Sequence, residues 1–90
     1  MEHDYKPKKT DRLISREEDE NLLIFDPDTG SIKVLNETAA LIWNSIDEKN
    51  SVKDIVDIIC RENPDEDRKT IEEDVLRFLR DLQEHSYIEE

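Results

Sequence analysis

Between Ser31 and Asn44 a strand passes into a helix with almost no loop, and this junction, SIKVLNETAALIWN, constrains the fold more than any other stretch. It opens as an extended apolar run of Ile32, Val34 and Leu35. Asn36 is a natural N-cap, because its side-chain oxygen can accept from an orphan amide of the first helical turn. Ala39, Ile42, Trp43 and Ile46 follow at the i, i+3, i+4, i+7 spacing of one helix face. A junction without slack forces the sheet that owns the strand to pack directly on the helix that follows.

The chain around it reads as an α+β unit, a three-stranded antiparallel meander followed by three helices. Residues 1–11 are expected to be a flexible leader, and residues 12–90 the folded domain. Leu13 and Ile14 begin the first strand, which runs to Arg16, and the polar residues 17–21 make a turn. Leu22–Phe25 is the second strand. In the loop Asp26–Gly30, Pro27 presets φ and Gly30 takes the left-handed position that returns the chain. Ser31–Leu35 is the third strand, at an edge. Both of its alternating pairs, Ile32/Val34 and Lys33/Leu35, are partly apolar, which leaves open the pair that faces the helices.

The first helix runs from Glu37 to about Ile46. Ser51 and Asp54 form a capping box for the second, whose apolar stripe is Val52, Ile55, Val56 and Ile59 and which stops before Pro64. Thr70 and Glu73 form another box for the third, Ile71 to about His85, with Ile71, Val75, Phe78, Leu79 and Leu82 along one face. The short polar loop between the second and third helices has helix-turn-helix geometry.

Composition narrows the function. The 90 residues carry 13 Lys+Arg against 25 Asp+Glu, a formal net charge of -12. A nucleic-acid binder needs a basic footprint that displaces counterions. The sole cationic cluster is Lys6, Lys8, Lys9 and Arg12, and an anionic membrane would repel the chain equally. No nucleic-acid or membrane partner is expected. One cysteine, no apolar signal region and no stretch long enough to span a bilayer point to a reducing, cytoplasmic setting.

No catalytic, metal or cofactor site is expected either. Cys60 flanks an apolar stripe and reads as a small buried thiol. His3 and His85 have no Cys or His at ligand spacing, and His85 suits a helix C-terminus. Asp26, Asp28 and Gly30 outline a calcium loop that Pro27 and the missing terminal Glu spoil. With 1 Gly in the chain there is no phosphate loop. Trp43 shares its face with Ala39 and Ile46 and reads as core.

The string Leu35–Trp43, LNETAALIW, resembles the PqqD family of small peptide-binding domains, also called RiPP recognition elements. The hairpin Leu22–Phe25 with Gly30, the run Ser51–Val56 and the segment Asp74–Leu82 with Ile88 agree in order and spacing, so the resemblance covers roughly Arg12 to Ile88. Members usually have a Gly near the end of the last helix, where this chain has His85-Ser86.

The resemblance implies a winged-helix-like domain without catalysis or cofactor. Such a domain binds the leader of a ribosomally made precursor peptide and presents the core to a modifying enzyme, often a radical SAM protein. The product of the namesake pathway is pyrroloquinoline quinone. The leader adds to the edge of the third strand, in a cleft against the third helix. Carried onto this chain, the peptide contacts are Ser31, Ile32, Lys33, Val34 and Leu35 on the strand and Leu76, Arg77, Leu79, Arg80 and Gln83 on the helix.

The residues make this mode reasonable. Only Lys33 guards the third strand against edge pairing, and an open edge offers a peptide a row of amides and carbonyls. Leu76 stands off the main stripe with Arg80 and Gln83 at i+4 and i+7, a floor for a groove. Arg77 and Arg80 suit acidic leader residues; intrahelical pairing of Glu73 with Arg77 serves them equally well. Two other readings are a winged-helix nucleic-acid-binding regulator, which the acidic third helix disfavours, and a generic interaction module that has kept the fold alone.

Overall fold

A computed structural model describes residues 1–89. Its elements are β1 (Lys8–Lys9), β2 (Ile14–Glu18), β3 (Asn21–Asp26), β4 (Ser31–Leu35), α1 (Glu37–Asn44), α2 (Val52–Glu62), α3 (Arg68–Glu84) and β5 (Ile88–Glu89). The expected α+β arrangement is present: β2, β3 and β4 form an antiparallel sheet in that order, and the three helices follow. Gly30 adopts φ 75°, and its amide donates to the Asp26 carbonyl at 2.8 Å, closing the β3–β4 hairpin. Strand β2 extends to Glu18, so the turn to β3 is only Asp19-Glu20, with Asp19 in the left-handed region.

Caps place the helices. The Asn36 side chain accepts from the Ala39 amide at 2.9 Å, as the junction predicts. Ser51 and Asp54 form both bonds of the capping box of α2. Helix α3 begins three residues earlier than the Thr70 box predicts, with Asp67 as its N-cap. Starting there lets Arg68 reach Asp57 on α2 at 2.6 Å, a cross-helix ion pair that a start at Thr70 forgoes. Its end explains the missing Gly. The Ser86 amide bonds the Gln83 carbonyl, and the Tyr87 amide bonds the Leu82 carbonyl. That is the paired motif in which the intervening residue is left-handed, and Ser86 sits there at φ 60°.

One core unites sheet and helices: Leu22, Ile24 and Leu35 from the sheet, Ile42, Trp43 and Ile46 from the α1 region, and the stripes of α2 and α3. This settles the alternation of β4. Leu35 is buried and Lys33 faces α3, whereas Ile32 and Val34 point to the opposite, outer side.

The amino-terminal segment, expected to be a loose leader outside a domain starting at residue 12, is instead docked. Lys8 and Lys9 pair with Glu89 and Ile88, Pro7 is buried, and the ammonium of Lys9 lies 4.8 Å above the Trp43 ring. Burial lowers the Lys9 pKa. The carbonyls of Tyr5 and His3 accept from Val52 and Lys53, two amides that the first turn of α2 leaves without helical partners. Sequence patterning missed this because the contacts are mostly main-chain and carry no periodicity.

Candidate functional site

The outer edge of β4 is one of the two open margins of the sheet, β2 having the other, and it is the one tied to α3. Ser31–Leu35 pairs with β3 on one side only, and among the described residues no strand pairs with the other. Alternate residues of an antiparallel strand turn their N–H and C=O groups toward each side. A row of main-chain donors and acceptors is therefore available to an incoming backbone. Among the described residues the strand of the docked amino terminus pairs with β5 and not with β4, and bonds from His3, Tyr5 and Thr10 reach α2, α3 and the carboxy-terminal turn.

Helix α3 runs beside the margin. Lys33 Nζ donates to Asp81 Oδ2 at 2.8 Å, tying the middle of β4 to the last turn of α3. Asp74, Phe78, Asp81 and His85 stand at i, i+4, i+7 and i+11, so they share the face that Asp81 turns toward β4. Phe78 is half-buried and packs on the core, giving the cleft an apolar patch between charged neighbours. Arg77 pairs with Asp74 at 3.2 Å and His85 lies 3.6 Å from Asp81, so nitrogen-bearing side chains and carboxylates alternate along the rim.

The expected helix contacts divide. Leu79 is 0% exposed and belongs to the core, as its spacing predicts, and not to the contact set in which the family resemblance also places it. Leu76, Arg80 and Gln83 lie two positions on from Asp74, Phe78 and Asp81, about 200° round the helix. Gln83 accordingly adjoins Met1 and Tyr5 of the docked segment, away from β4. Leu76, Arg77 and Arg80 line a shallow recess on the solvent side of α3, which meets the cleft at Asp81. Phe78 and Asp81, which are not in the expected contact set, are the residues that a wheel centred on the strand-facing side selects. Finding that side needed the Lys33–Asp81 contact.

On the strand, Ser31 is exposed where the hairpin closes, Lys33 faces the cleft, and the side chain of Leu35 is core. Ile32 and Val34 contribute their backbones to the margin but turn their side chains to the outer face.

The carboxylates of the calcium-like loop are engaged by Arg12. Its Nε lies 3.1 Å from Asp26 Oδ1 and 3.3 Å from Asp28, and its Nη2 lies 3.2 Å from Asp26 Oδ2. Hydrogen bonding from Arg12 lowers the Asp26 pKa. Among the described residues no group of three or more His, Cys, Asp or Glu side chains is placed to hold a metal, and no helix is long and apolar enough to cross a membrane.

Comparison with known proteins is consistent with this geometry. The family model described as coenzyme PQQ synthesis protein D (PqqD) matches residues 21–88. A solved structure of TbiB1 in complex with the TbiA(beta) leader peptide superposes with a TM-score of 0.82 at 32% identity, covering 91% of this chain and 94% of that one. A lasso peptide synthetase B1 complexed with the leader peptide gives a TM-score of 0.83 at 20% identity, over 94% and 99% of the two chains. No curated protein matches the chain.

Proposed function

Because the chain belongs to the PqqD family, we propose that it is a noncatalytic recognition domain that takes the leader of a ribosomally made precursor peptide onto the free edge of β4 and delivers it to a peptide-modifying enzyme. The observation that carries the reading is the unpaired margin of Ser31–Leu35 beside α3. A leader strand added there gains main-chain hydrogen bonds without asking for any sequence, and specificity falls to side chains that point into the cleft. Every second leader residue would turn inward to meet Phe78 and the Lys33–Asp81 pair. The overlap with TbiB1 over 91% of this chain and 94% of that one, TbiB1 being bound to a leader peptide in its own structure, supports the assignment.

The acidic surface fits delivery of a peptide better than the nucleic-acid reading, since a chain of charge -12 lacks the counterion-displacing footprint. The client is an enzyme that modifies the peptide core. A radical SAM protein is the class suggested by the family resemblance, and pull-down and reconstitution with candidate modifying enzymes test it.

Titrating an isotope-labelled sample with the synthetic leader tests the site. Amide shifts are expected to concentrate at Ser31–Leu35 and along Asp74, Phe78 and Asp81. Shifts confined to Leu76, Arg80 and Gln83, or none at all, refute the site. Retention of duplex DNA at low salt would turn the assignment toward a regulator.

A further inference from the structure

Four apolar side chains stand in the open on the side of the sheet turned away from the helices: Ile14 (56% exposed), Phe25 (37%), Ile32 (63%) and Val34 (60%). The strand register makes them one surface. Ile14, Phe25 and Ile32 are aligned across the three strands, and Arg16, Leu23 and Val34 form the next row on the same face. A small domain with 42% charged residues has ample polar side chains to place here, and contiguous apolar patches on a soluble chain mark contact surfaces.

We propose that this outer face is where the peptide-modifying enzyme docks, through an apolar patch ringed by lysine and arginine side chains. The inference rests on the leader-binding reading above. Charge selects the occupant. The patch is bordered by Glu18, Asp19 and Glu20 at one end and by Asp28, paired with Arg12, at the other, and the cation on its own face, Arg16, is paired with Glu18 at 3.3 Å. A second copy of the chain would bring a like acidic rim, and another charge of -12, against this one, whereas a basic rim is attracted. Position agrees with charge. Ile32 and Val34 belong to the strand whose margin takes the leader, and an added strand continues the same outer face, with alternate leader side chains emerging beside them. An enzyme seated there meets the leader as it leaves the domain.

The experiment uses the full chain, its synthetic leader, and the modifying enzyme that acts on that leader's precursor. Ile32→Thr with Val34→Thr keeps β-branching, so the strand is retained while the patch loses apolar area. Ile14→Thr makes the same change two strands away from the margin. Leader affinity, read by fluorescence anisotropy, is expected to stay within about twofold in both variants. Affinity for the enzyme, read by biolayer interferometry, is expected to fall about tenfold in the double variant and severalfold in Ile14→Thr. Added salt is expected to weaken docking of the wild type as the acidic rim is screened.

Enzyme affinity unchanged in both variants overturns the proposal. So does light scattering that finds a wild-type dimer abolished by Ile32→Thr/Val34→Thr, since the face then belongs to a second copy. A wild-type chain that ignores its leader but loses the enzyme in both variants keeps the docking face and refutes the leader reading.

Discussion

Truncating Leu79 to alanine separates a core residue from a peptide contact. Leu79 has no exposed surface and sits in the cluster that joins α2, α3 and the sheet. Deleting a fully buried isobutyl group loses its transfer free energy and leaves a cavity the neighbours only partly fill, together about 3 kcal/mol. A domain of this length holds roughly 5–13 kcal/mol in all, so the variant stays folded but much weakened. The expected reading is a fall of about 15 °C in the thermal midpoint and of about 2–3 M in the urea midpoint. Leader affinity, measured well below the variant's melting temperature, is expected to remain within about twofold. Were Leu79 a groove contact, the pattern would reverse: affinity lower by about tenfold, with the midpoint moved by less than about 4 °C. That outcome would refute both the burial of Leu79 and the orientation given to α3.

Ser86→Gly relieves a left-handed residue at the end of α3 and is expected to raise stability by about 0.5–1 kcal/mol in urea titration, since its bonds to neighbours are main-chain. Deleting residues 1–9 removes the β1–β5 pairing and the carbonyls that serve Val52 and Lys53; a loss of about 2 kcal/mol or more is expected, with leader affinity intact. An unchanged melting curve would mean the segment is not docked. Hydrogen bonding from Arg12 and Arg68 lowers the pKa of Asp26 and Asp57 in the folded chain. These carboxylates therefore contribute stability above the ordinary carboxylate pKa of about 4 and lose it as pH falls through their folded values. The urea midpoint is expected to be level from about pH 7 to 5 and to drop below about pH 4, less steeply in Arg12→Gln; an equal slope in that variant would remove Asp26 from the account.

Local chemistry was readable from the sequence wherever one residue type settles a conformation. Asn36, the Ser51–Asp54 box and Gly30 announced the ends of α1, α2 and the hairpin because each meets a specific backbone demand. Thr70 misled for the same reason: Asp67 meets that demand as well, and it is Asp67 that caps the helix, with Arg68 then within 2.6 Å of Asp57. The side of β4 that faces the helices was undecidable from alternation, since an apolar residue occurs on both sides. The outward one turns out to belong to a second exposed surface. On α3, the faces bearing Leu76 and Phe78 differ by two positions in register. Choosing between them requires knowing where the neighbouring strand lies.

The net charge of -12 acquires a use once β4 is seen in place. An edge strand with apolar side chains on its outer face invites pairing with other copies of itself, and proteins usually blunt such an edge with charges on the strand. Here the strand's one charge, Lys33, is turned inward and neutralised by Asp81, so the margin itself carries no guard. Protection falls to the rest of the surface, where a net charge of -12 makes any approach of a second copy costly. That arrangement leaves the edge open to a peptide while discouraging assembly of the domain on itself. Raising the ionic strength without leader is therefore the condition under which self-association should first appear, and added leader should suppress it by occupying the margin.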